Sequence, residues 1–184
     1  LVPYMSSKIV VLGILALLQS GSILFIADAF EPLHQGVFLP VLLENYISLT
    51  LASIAGVLLG LTISAIAPND DTANSLLAPV IILQVIFAGS VIPLKDGITL
   101  VTATLFPTRW TIVAIGSSLG LHSDKIDGGK LFGSDPAYHG TLYSIYSQAD
   151  ATQRIVLSWV ALGLTIIVLT CLVGMLLKIK DGRG

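Results

Sequence analysis

The sequence predicts an all-α membrane protein with four transmembrane helices and a re-entrant or interfacial helix pair between the third and the fourth. Three observations lead there. The chain of 184 residues is 54% hydrophobic and 11% charged, and its mean hydropathy of +0.92 lies well above that of a water-soluble domain. Several apolar stretches approach the length of about 20 uncharged residues that crosses roughly 30 Å of hydrocarbon. Before the last of them, a further apolar segment is broken at its middle by proline and arginine, so it can touch lipid but not span it.

The first span is predicted at 9–27, "IVVLGILALLQSGSILFIA", with Lys8 before it and Asp28 and Glu31 after it. The second covers 46–67. Ala52, Gly56, Gly60 and Ser64 recur on one face of it at four-residue spacing, and such a small-residue stripe allows a neighbouring helix to come close. In "APNDDTANS", Pro68 stops that helix, while Asp70, Asp71 and Thr72 can cap the next. The third span is predicted at 75–94, with Pro79 in its first turns, where a missing amide donor costs least.

The re-entrant segment is 98–121. Two short helices are expected to hinge at Phe106, Pro107 and Thr108, with Arg109 snorkelling and Trp110 resting near the headgroups. Residues 122–153 are polar and rich in Gly, Ser and Tyr, and read as an external loop. The fourth span, 155–177, is bounded by Arg154 and by Lys178, Lys180 and Arg183. Four spans place both termini on one side, and Lys8 with the C-terminal basic cluster makes that side cytoplasmic. The whole of 1–184 reads as one transmembrane domain. It opens on Leu-Val-Pro, with neither Met nor a basic leader, and is expected to be a fragment with something preceding Leu1.

Composition also excludes. A formal net charge of −2 leaves no basic face for nucleic acid. Cys171 is the one cysteine, so no intrachain disulfide can form. No Gly-x-x-x-x-Gly-Lys-Ser/Thr occurs, so the chain has no P-loop ATPase of its own and is not expected to be an enzyme by itself. His122, Asp124, Asp127, Asp135 and His139 share a loop, but their spacing fits no metal-ligand pattern, and no metal is expected. Ser6, Ser7 and Lys8 have no oxyanion hole to work with and read as an anchor. Inside the spans, Gln19, Ser20, Ser22, Glu44, Asn45 and Gln84 serve either as glue between helices or as contacts to cargo. No span carries the chain of midplane acids or histidines that a proton relay needs.

The order of parts, "YMSSKIVVLGILALLQS", "ISLTLASIAGVLLGLTISAIAPNDDTANSLL", "QVIFAGSVIPL" and "FPTRWTIVAI", resembles the transmembrane domain of type-2 ABC exporters, the G-subfamily or White-like kind. Its most specific parts are Phe-x-Gly followed by Pro93, and the later Pro107, Arg109 and Trp110. The resemblance implies the last four of six helices and a dimer of such domains. ATP and Mg would be bound by an ABC ATPase domain upstream or on a partner chain, and no cofactor by this one. It implies a cargo cavity on the twofold axis with Ile82, Val85, Ile86 and Phe87 on its wall, and a gate at Gly89, Ser90 and Val91. Ser90 and Val91 replace the two leucines that plug some members, so a gate carries over at that level but a leucine plug does not. The external loop lacks the cysteines common in eukaryotic members, which implies a bacterial one in the cytoplasmic (inner) membrane. Alternating access in membrane lipid would then move amphiphilic or lipid-like cargo, because an apolar wall desolvates greasy ligands but cannot pair with highly charged ones. The alternatives are a scaffold or regulatory subunit without cargo, and a channel or secondary carrier.

Overall fold

A computed structural model describes residues 2–30, 37–88, 101–119 and 148–181. Among them are a helical turn at 101–103, no strand, and the helices α1 (Val2–Phe30), α2 (Val41–Ile66), α3 (Asp70–Phe87), α4 (Pro107–Ser118) and α5 (Gln148–Asp181). Four of these, α1, α2, α3 and α5, are long and apolar enough to cross a bilayer. With 12 residues, α4 is about 18 Å long and cannot.

The boundaries follow from local chemistry. Pro40 opens α2, its carbonyl accepting from the amides of Leu43 (2.8 Å) and Glu44 (3.1 Å). α2 ends because Ala67 precedes Pro68 and is driven to the extended region, at φ −66° and ψ 135°. α3 begins earlier than the apolar stretch at 75–94. Its cap is Asn69, extended at φ −147° and ψ 166°, whose side-chain oxygen accepts from the Thr72 amide at 3.1 Å and from the Thr72 hydroxyl. The expected caps therefore shift by one position. Asp70 and Asp71 occupy the first turn, where they favour the positive helix end. This earlier start also moves Pro79 from the first turns to the helix interior. α3 closes at Phe87, the Ala88 amide still bonding Gln84 O at 2.9 Å. The Gly89, Ser90 and Val91 gate, the first part of the re-entrant pair (98–100) and the loop residues 122–147 lie outside the described residues.

α2 is the central element. It packs against α5, α1 and α4, and α4 lies along α5. Ala55, Leu58, Ala114, Ile155 and Leu162 form the dry interior. The outside is apolar instead: Phe25 is 77% exposed and Val160 63%, as expected where the solvent is lipid. α3 differs from the rest. Among the described elements it packs on α2 and α4, and none of its own residues is buried.

Candidate functional site

Two groups of residues stand out: the face and end of α3, and a buried polar cluster around the start of α2.

On α3, Ile82 and Val85 are exposed, at 58% and 48%, and Ile86 is half-buried. At about 100° per residue these three share one side, and Phe87 faces away from it. Phe87 instead stacks on Phe106, ring centroids 4.9 Å apart and planes 8° from parallel. Beside it the Thr108 hydroxyl donates to Gln84 Oε1 at 2.8 Å. The structure therefore brings Ile82, Val85 and Ile86 together and assigns Phe87 to the junction with α4.

That junction is built by the hinge. A helical turn at 101–103 closes with the amides of Thr104, Leu105 and Phe106 bonding the carbonyls of Val101, Thr102 and Ala103. Pro107 then stands at the start of α4, where its missing donor is harmless. Trp110 Nε1 donates to Thr104 O at 2.9 Å and braces the turn against the helix. Arg109 is half-buried; burial lowers its guanidinium pKa from the usual arginine value, and the positive Arg154 on α5 adds to this.

At the heart of the polar cluster, Glu44, Asn45, Ser48 and Ser118 are fully buried. Glu44 Oε1 accepts from the amides of Phe38 and Leu39, both at 2.9 Å, and Oε2 from the Val37 amide at 3.2 Å. Oε2 also accepts from the Ser118 hydroxyl at 2.6 Å. The logic is that of a helix-start carboxylate reaching back to free amides. Pro40 has no amide, so the carboxylate reaches past it to the three residues before. Asn45 Nδ2 donates to Val41 O at 2.9 Å and to Ser118 Oγ at 3.3 Å. Ser48 donates to Glu44 O at 2.8 Å and accepts from Trp159 Nε1 at 2.9 Å. The Trp159 ring meets Phe38 at 5.7 Å. One cluster thus ties segment 37–39, α2, α4 and α5 together.

The remaining sequence candidates are dispersed. A Cβ built on Gly56 or Gly60 meets nothing within 4 Å, so among the described residues no helix closes on the stripe Ala52, Gly56, Gly60, Ser64. Ser20 is buried with its hydroxyl 3.4 Å from that of Ser53, joining α1 to α2. Gln19 is exposed in the middle of α1. Ser118, Ser48 and Trp159 were not singled out in the sequence. Their nearest signals are the Ser-Ser pair that closes an apolar helix and a tryptophan in the first turns of the fourth span.

The sequence model of the ABC-2 type transporter family matches residues 1–119, which take in α1, α2, α3, the hinge and α4. The chain belongs to this family. The ABC transporter ATP-binding/permease protein Rv1747 of Mycobacterium tuberculosis (strain ATCC 25618 / H37Rv) is 28% identical over 142 residues, which are 75% of this chain and 16% of that protein. The chain thus spans about a sixth of the length of that curated relative. No solved structure matches. As an ABC-2 membrane domain, the chain is the transmembrane, permease part of an ABC transporter and an integral membrane protein.

Proposed function

We propose that this domain is the cargo-moving half of an ATP-driven exporter that carries amphiphilic or lipid-like molecules by alternating access. The observation that supports it is α3: a spanning helix with no buried residue, which turns Ile82, Val85 and Ile86 away from its own bundle. In a dimer of such domains, two of these faces would enclose an apolar cavity suited to greasy cargo. ATP and Mg would be bound by an ABC ATPase domain, fused or separate; the relative's printed name joins ATP-binding and permease functions in one protein. Gly89, Ser90 and Val91 would gate the cavity where α3 ends. Membership in the ABC-2 family favours this over a scaffold or a secondary carrier.

In this reading both termini are cytoplasmic and the membrane is the inner membrane of a bacterium. In a Cys171→Ala background, single cysteines placed by Lys130→Cys and Asp181→Cys should then react with an impermeant reagent from opposite sides; labelling from the same side removes the four-span topology. For transport, the full-length protein with its ATPase is reconstituted in liposomes and titrated with amphiphiles. ATP hydrolysis should rise several-fold, and Ile82→Trp should abolish the rise. No stimulation by any amphiphile, or full stimulation in Ile82→Trp, overturns the reading.

A further inference from the structure

We propose that Glu44 is a positioning residue for α3, acting through Ser118 and the short helix α4. The placement of α3 needs an explanation, because packing does not supply one: none of its residues is buried. Beyond the turn that joins it to α2, it is held at its far end by the Thr108–Gln84 hydrogen bond of 2.8 Å and the Phe106–Phe87 stack at 4.9 Å. Both contacts come from the N-terminal end of α4. The C-terminal end of α4 is fixed by a different residue set, the Ser118 hydroxyl donating to Glu44 at 2.6 Å and accepting from Asn45 at 3.3 Å. A helix of 12 residues is stiff over its length of about 18 Å. Its register at Ser118 therefore sets where Phe106 and Thr108 present themselves to α3.

Glu44 suits this task because its own position is determined several times over. Both carboxylate oxygens are used, Oε1 by two amides and Oε2 by one amide and the Ser118 hydroxyl. Among the described residues no basic side chain forms an ion pair with it, so amides, the hydroxyl and the start of α2 stabilise the buried charge. Moving Ser118 away would leave a buried carboxylate one donor short, so α4 has one strongly favoured seat on α2. The inference rests on reading α3 as cargo-facing for its functional meaning, but its physical content is the coupling of Glu44 to the α3–α4 junction.

The test uses the full-length transporter in membranes, with Cys171→Ala as background and Gln84→Cys with Thr108→Cys as reporters. A short bifunctional thiol reagent measures how often the two positions meet. Ser118→Ala should lower the cross-linking rate about tenfold at unchanged levels of inserted protein, the equivalent of one hydrogen bond to a charged group. Ser118→Thr, which keeps the hydroxyl, should restore it, and Glu44→Gln should lower it. An unchanged rate in Ser118→Ala, or no recovery in Ser118→Thr, overturns the proposal. Amphiphile-stimulated ATP hydrolysis is measured separately in the protein with native Gln84 and Thr108. Absence of stimulation there removes the transport reading, whereas the coupling is decided by the cross-link alone.

Discussion

The start of α2 and the length of α3 lie in the same bundle and are built on opposite terms. Around Glu44 the chain buries a carboxylate, an amide and two serines, and ties them by hydrogen bonds into four separate segments. Along α3 it buries nothing and fastens the helix at its ends. A buried carboxylate in a membrane domain is tolerated only when its partners are assured, so the donors to Glu44 must all come from within the folded chain. The second can remain unfinished, because lipid accepts an apolar helix face and a second domain can cover it. Rigidity is therefore concentrated at one end of α2, and adaptability along α3.

This contrast can be broken, and the largest effect is expected at Glu44. Glu44→Ala strips three amides and Ser118 of their acceptor and should lower stability by about 4 kcal/mol, read as thermal unfolding of the detergent-solubilised protein. A loss below about 1 kcal/mol would mean that the cluster is not closed. Leu58→Ala, at a core position 1% exposed, should cost about 2 kcal/mol, mainly as lost packing, since lipid is as apolar as the interior. Trp159→Phe keeps an aromatic ring against Phe38 but removes the donor to Ser48, for about 1 kcal/mol in the same assay. At the bottom of the scale, Gly56→Ala should change stability by less than about 0.5 kcal/mol, because its methyl group meets open space and alanine favours the helix. A larger penalty in the dimer alone would show that a second copy covers that stripe.

The spans were legible because bilayer thickness imposes a length and hydrocarbon imposes a composition, and both are visible residue by residue. The hinge at Pro107 was legible for a related reason, since proline and arginine cannot sit inside a span unnoticed. Sites made by long-range pairing were not. Glu44 and Asn45 attracted attention as polar residues at a span's edge, but Ser118 lies 74 positions beyond Glu44, and Trp159 lies 111 beyond Ser48. Nothing local in the sequence links them. Phe87 shows the same limit: the family resemblance places it beside Ile82, Val85 and Ile86, and nothing local in the sequence announces its stack on Phe106. At Asn69 a single dihedral decided between neighbouring candidates, the extended residue taking the cap ahead of Asp70 and Asp71.

The hydroxyls inside the helices bear on how such a chain enters a bilayer. Ser22, Ser48, Thr62, Ser158, Thr165 and Thr170 each donate to the carbonyl four residues earlier. Those bonds exist as soon as each helix does, so a lone helix can leave the insertion machinery without waiting for a neighbour. Glu44 has no such provision. Its acceptors need segment 37–39, which is at hand, and Ser118, which emerges from the ribosome more than 70 residues later. The biogenesis of the domain thus contains a delay: α2 can cross the membrane early, but its start cannot lose contact with water until α4 arrives to close over it.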